Sequence, residues 1–197
     1  MAAKAKRQKL ATGARDRILA SARQLFALHG FEGTSTKDIA AHAGVPSGLV
    51  FYYFETKDAL IEATFENNPP LEVVAVMREA ARQNSDAPIE AGLRAAYQGI
   101  LEHRYQAYIF IAEIGASRPV EKRLRQLRKD AIAAFAGFLR EHSGGATTSV
   151  QPETLAQIVS ASLMAAVLLD QPRDPDAYIK ELTSVVLASL RTTGGTS

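Results

Sequence analysis

Cysteine and tryptophan are absent from the 197 residues. Without thiols there can be no disulfide, no thiolate metal site and no cysteine nucleophile, and such a composition fits the reducing cytoplasm. No apolar run reaches the ~18 residues that a membrane-spanning helix needs. The longest, 158–169, is interrupted by Ser160 and Ser162. The N-terminus is basic but has no apolar stretch behind it, so it does not read as a secretory signal. The four histidines, His29, His42, His103 and His142, are scattered without metal-ligand spacing or a nucleophile partner, and no Gly-rich phosphate loop is present. Neither catalysis nor a bound metal or cofactor is expected. Alternating β patterns and internal repeats are also missing, which leaves an all-α fold.

What is present is concentrated in residues 36–57, TKDIAAHAGVPSGLVFYYFETK. Two short helical patterns meet there at a tight turn. Ile39, Ala40 and Ala43 share one face of the first, and Leu49, Val50 and Tyr53 share one face of the second. Gly44 lies between them, where a chain leaving a helix can take positive φ without a Cβ clash. Ala40 stands where the second helix must cross, and its small side chain lets the backbones approach. Counted from Thr36, Ala falls at position five, Gly at nine, Val45 at ten and Val50 at fifteen. This is the spacing of a helix-turn-helix, placed at about 35–54. A helical hairpin buried in a core is the plainer reading of the same pattern.

The flanks extend it. Ile18, Leu19, Ala22, Leu25, Phe26 and Leu28 recur with helical period over 14–29, predicting a first helix that ends at Gly30. Ser35 precedes Asp38 by three residues, a shortened capping box for the second helix. Thr36 offers its hydroxyl either to that cap or to a phosphate. Ser47, Gly48 and Leu49 fall on the first turn of the recognition helix, the part of this motif that meets base edges. Tyr52 and Tyr53 carry rings that anchor and hydroxyls that reach phosphate, whereas Phe54 reads as core. Lys57 opens the next helix, where backbone N–H groups already favour an anion.

Charge divides along the same line. Residues 1–60 hold nine Lys/Arg against five Asp/Glu, and 61–197 hold fourteen against sixteen. A phosphate-binding module on a neutral-to-acidic body shows this split. Within the first twelve residues, Lys4, Lys6, Arg7 and Lys9 form a basic flexible arm, either merely solubilising or reaching DNA.

Residues 44–60, GVPSGLVFYYFETKDAL, together with GFEGTST at 30–36, resemble the signature of the TetR family of transcriptional repressors over about the first 60 residues. The resemblance implies a three-helix DNA-binding domain at 13–60, a homodimer, and release from the operator by a small molecule. Three positions differ from the family pattern. Pro46 stands where Ser is common, so the hydroxyl cap of the recognition helix is missing, although Pro suits a helix start. Phe51 replaces a common Tyr and lacks the hydroxyl that would bond phosphate. Tyr53 replaces a common His and can still donate.

Beyond residue 60 the chain reads as helices parted by short breakers, at 56–66, 71–83, 88–103, 105–116, 119–142, 152–170 and 175–191, forming a C-terminal ligand-binding and dimerisation domain at 61–197. Tyr97, Tyr105, Tyr108 and Phe110 cluster with Glu113, and Phe135, Phe138 and Met164 can wall the same space. A cavity of this kind suits a small amphipathic or cationic molecule; the bland reading is that the rings fill a core. Arg118, Lys122, Arg123, Arg125, Arg128 and Lys129 make a basic helix face, read as solvated. The last two helices, with LAQIVSASLMAAVLL and YIKELTSVVLASL, have apolar faces too wide for a surface helix. A second copy packed on them would form a four-helix bundle across a two-fold axis.

The function these features favour is a sequence-specific DNA-binding regulator, a homodimeric repressor on a near-palindromic operator with a small-molecule effector. A ligand-independent or non-sequence-specific helical DNA-binding or interaction protein is the alternative.

Overall fold

Helix signals and breakers in the sequence resolve into ten helices among the described residues of the computed structural model, and no strand. Described are residues 2–113, 119–143, 150–169, 172 and 174–190, with backbone alone for 2–12 and 119. The chain divides into two compact units, one of residues 1–67 with 108–124, the other of 68–107 with 125–197.

In the first unit, α1 (Ala2–His29) runs back through the stretch expected as an arm; the side chains of Lys4, Lys6, Arg7 and Lys9 lie outside the described residues. Gly30, at φ 70°, ends it and donates its N–H to the Phe26 carbonyl at 3.0 Å. The helices α2 (Thr36–Ala43), α3 (Ser47–Tyr53) and α4 (Lys57–Ala63) follow, each packing against α1. Ile18, Ala22, Phe26, Ile39, Ala40, Val50, Leu60 and Ile61 are buried almost completely. Burial of each large aliphatic side chain among them contributes about 1.5–3 kcal/mol.

The capping box is reciprocal: the Asp38 N–H donates to Ser35 Oγ at 3.1 Å, and the Ser35 N–H donates to Asp38 Oδ2 at 2.9 Å. The hydrogen bond from the Ser35 side chain, then that from its backbone, holds the Asp38 carboxyl below the usual aspartate range. A depressed folded value means that the capping contribution is present above the ordinary aspartate pKa and lost as pH falls through the folded one. Ser35→Ala is expected to cost about 1 kcal/mol of stability, read from the urea midpoint, and to reduce that acid-side loss, of which the backbone hydrogen bond keeps a part.

The second unit contains α5 (Pro69–Gln83), α6 (Pro88–Glu102), α9 (Pro152–Leu168) and α10 (Pro175–Leu190). It also takes in the later turns of α8 (Pro119–Glu141), and α7 (Arg104–Ala112) begins in it. Five helices start on Pro, whose missing N–H would have had no intrahelical partner there. Helix α5 begins two residues before the span expected from sequence, because Asn68 turns the chain at φ 50°.

Helix α6 lies at the centre, packed on α5, α9 and α10. Two glycines on one face of it, Gly92 and Gly99, permit the approach. A Cβ on Gly99 would stand 3.1 Å from Val73 Cγ2, and one on Gly92 would stand 2.8 Å from Phe138 Cζ and 3.0 Å from Met77 Cγ. Around them Leu93, Tyr97, Phe135, Phe138, Leu139, Leu163 and Val186 form one apolar core.

Candidate nucleic-acid interface

Gly44 sets the geometry of the turn. Its φ of 64° places the chain in the left-handed region, and its N–H donates to the Ala41 carbonyl at 3.2 Å while that of Val45 reaches the Ala40 carbonyl at 3.0 Å. The helix carbonyls are thereby satisfied within the turn. Pro46, at φ −59°, then holds the extended conformation from which α3 starts, without any side-chain cap.

On α3 only Val50 is fully buried, pinned to the three-helix core at 1% exposure. Ser47, Gly48, Phe51 and Tyr52 are exposed; Leu49 and Tyr53 border that face and are half-buried. The Tyr52 and Tyr53 rings meet edge-on at 5.1 Å. Phe54 is core, as expected, with the Arg15 guanidinium 5.3 Å from its ring centroid. Thr36 is half-buried at the first position of α2, beside exposed Lys37. The structure therefore brings Thr36, Ser47, Gly48, Leu49, Phe51, Tyr52 and Tyr53 onto the helix-turn-helix as the spacing predicts.

Lys57 has a second role that local pattern did not reveal. Its ammonium donates to the carbonyls of Phe31 at 2.7 Å and Thr34 at 3.0 Å, and sits 4.1 Å from the Phe31 ring centroid. Thr34 in turn donates its hydroxyl to the Gly30 carbonyl at 2.8 Å. The start of α4 is thus tied to the loop before α2 by two of the three N–H groups of the ammonium. Two further ties went unseen. Arg15 grips Glu66 through both carboxylate oxygens at 2.7 Å, and Arg23 Nε donates to the Thr64 carbonyl at 3.3 Å. Partners 51 and 41 positions apart leave no signal in a helical period.

The residues expected to line a ligand cavity are divided between the units. Tyr108, Phe110 and Glu113 belong to the first; Tyr97, Tyr105, Phe135, Phe138 and Met164 belong to the second. Phe135 and Phe138 lie 6.2 Å apart within the core, and the His142 ring lies 4.5 Å from that of Phe138, tilted by 44°. Tyr97 is buried beside Tyr178, whose hydroxyl shares a 2.8 Å hydrogen bond with Ser162. A surface depression of about 360 Å³ between α5 and α6 is lined by Ala80, Asn84, Glu90, Ala91, Arg94 and Gln98, none of them an expected residue. Arg94 there is already engaged by Asp176 and Glu90.

On α8, Lys122, Arg123, Arg125, Arg128 and Lys129 are exposed while Val120, Leu124 and Leu127 are buried, an ordinary amphipathic face. Arg118 lies outside the described residues. No described helix is long and apolar enough to cross a membrane.

Residues 18–64 match the family model described as bacterial regulatory proteins, tetR family. The HTH-type transcriptional repressor BepR of Brucella suis is 28% identical over 158 residues, covering 75% of this chain and 75% of that protein. Among solved structures, the fatty acid degradation regulator FadR from Bacillus halodurans is similar with a TM-score of 0.73 at 20% identity, over 90% of this chain and 96% of that one. FadR from Bacillus subtilis, in complex with stearoyl-CoA, gives 0.69 at 17% identity, over 89% and 98%. At these two identities the structural likeness is one of fold.

Proposed function

Because this chain belongs to the tetR family of bacterial regulatory proteins, we propose that it is a cytoplasmic, homodimeric transcriptional repressor that binds a near-palindromic operator and is released by a small molecule. The observation that carries the DNA-binding part is the exposed α3 face of Ser47, Gly48, Phe51 and Tyr52, held on a core that buries Val50. Two such helices related by a two-fold axis would enter major grooves one turn apart, roughly 34–36 Å. Thr36, Tyr52, Tyr53 and the remaining N–H of Lys57 are the proposed phosphate contacts; Ser47, Gly48 and Leu49 are the proposed base contacts.

For the effector, we assign the second unit, with Tyr97, Tyr105 and Met164 as the aromatic and sulfur-bearing candidates. The Bacillus subtilis relative in complex with stearoyl-CoA supports a ligand in this fold. Release would be a population shift, requiring that the ligand bind the DNA-incompetent dimer more tightly. Compounds that raise the melting temperature and then lower operator affinity would identify it.

Selection of bound duplexes from a random pool tests the central reading, with a two-fold symmetric site as the expected product. On that site Leu49→Ala and Ser47→Ala should relax discrimination at defined base pairs by about 1–3 kcal/mol for a good contact. Lys57→Ala should instead weaken all sequences alike and flatten the salt dependence by roughly 0.9 in log–log slope per subunit phosphate lost. Equal loss at every base from all three variants would argue for non-sequence-specific binding.

A further inference from the structure

The seven residues of α3, SGLVFYY, include no Arg, Lys, Asn, Gln, Asp or Glu. Those are the side chains that pair with guanine, adenine or cytosine edges in the major groove, most of them through two hydrogen bonds. In their place the exposed face shows the Ser47 hydroxyl, the Phe51 phenyl ring and the Tyr52 phenol, and of these only the phenyl is wholly apolar. Ser47 and Phe51 stand one turn apart on the exposed face, as do Gly48 and Tyr52. Phe51 is 54% exposed, and Leu49 adds an aliphatic border. Nothing lies within 4 Å of where a Cβ of Gly48 would be, so the helix surface beside Phe51 is open.

A phenyl group in that position has no hydroxyl for a phosphate, and it gains only by covering apolar surface. The one apolar group that a base presents in the major groove is the thymine 5-methyl, for which Phe is a known type of contact. The place of this face on a helix-turn-helix makes duplex DNA its occupant. Residues 1–60 carry nine Lys/Arg against five Asp/Glu, with Lys37 exposed on the adjoining helix. That charge supplies affinity without sequence information.

We infer that this protein reads its operator chiefly through thymine methyl groups, with Phe51 and Leu49 as the residues that determine specificity. The inference rests on the DNA-binding function proposed above. Covering one methyl corresponds to about fourfold in affinity, and a two-fold operator presents each contact twice, so a symmetric pair corresponds to about fifteenfold.

The test begins with the duplex selected from the random pool, titrated with full-length protein at fixed salt. Each thymine is then replaced singly by 2′-deoxyuridine, which removes the methyl and keeps the pairing. Binding is expected to weaken about fourfold at one or more defined thymines. That penalty should vanish at the same positions in Phe51→Ala or Leu49→Ala, because a contact already removed cannot be lost twice. Replacing purines with their 7-deaza analogues, which lack the N7 acceptor, should cost less than removing the methyls. If the uridine duplex binds as tightly as the thymine duplex, or if the penalty persists in both variants, the inference fails while the DNA-binding function stands. A pool that yields no enriched sequence overturns both.

Discussion

Ile158→Glu combined with Val185→Glu is expected to yield a folded monomer whose operator affinity is lower by a factor of about 10²–10⁴. Both side chains are more than half exposed, Ile158 at 56% and Val185 at 58%. They are not isolated. On α9 the exposed residues Thr154, Ile158, Ala161 and Ala165 follow one stripe, continued by Leu169 just beyond it, and on α10 Glu181, Ser184, Val185 and Ala188 follow another. Opposite them, Leu155, Val159, Leu163, Ile179, Val186 and Leu190 bury into the core of the second unit. The outer side of α9 is therefore largely apolar, that of α10 carries Val185 and Ala188 beside Glu181 and Ser184, and their own unit covers only the inner sides. Glutamate on the outer side leaves the core untouched but would put like charges together across a two-fold axis. Without the dimer, the second half-site contact ceases to be intramolecular, and the effective concentration that linked the two is lost. Light scattering with circular dichroism would establish the folded monomer, and an operator titration the affinity. A dimer that survives both substitutions would place the interface elsewhere.

Phe138→Ala should be the most destabilising of the simple truncations, at about 3–5 kcal/mol. The ring is wholly inaccessible, lies 6.2 Å from Phe135 and has the tilted His142 ring 4.5 Å away. It also fills the notch left by Gly92, where even one methyl would come within 2.8 Å of its edge. The two positions should consequently be coupled. Gly92→Ala alone is expected to lower the melting temperature, whereas in the Phe138→Ala background it should do so less, since the obstructing ring is gone. Calorimetry of the four proteins measures this directly. Near-native stability of Phe138→Ala together with altered effector affinity would return Phe138 to a ligand site, as its sequence neighbourhood had suggested.

That contrast illustrates which features the sequence made readable. The helix-turn-helix depends on contacts a few residues apart: Gly44 needs positive φ, Ala40 needs to be small, and Ser35 and Asp38 cap each other. Such constraints leave their mark in spacing. The periodicity of Tyr97, Phe135 and Phe138 identified apolar faces equally well, but a period reports that a ring is turned inward without saying whether it meets another ring or a cavity. Lys57 illustrates the second limit. Its position at a helix start suggested an anion site, while its carbonyl partners at Phe31 and Thr34 come from a loop more than twenty residues earlier. The end of the first unit was obscured for the same reason. Residues 64–66 stay with α1 because Arg15 and Arg23 reach them, and neither arginine announces its target.

Those two arginines have a mechanical consequence. A short helix such as α4, seven residues long, would ordinarily fray at its trailing end and absorb a pull by unwinding. Here that end is riveted twice, through Glu66 and through the Thr64 carbonyl, while Lys57 rivets the leading end. Torque applied at Asn67 has no slack turn in which to dissipate, so it would swing the reading head as one piece.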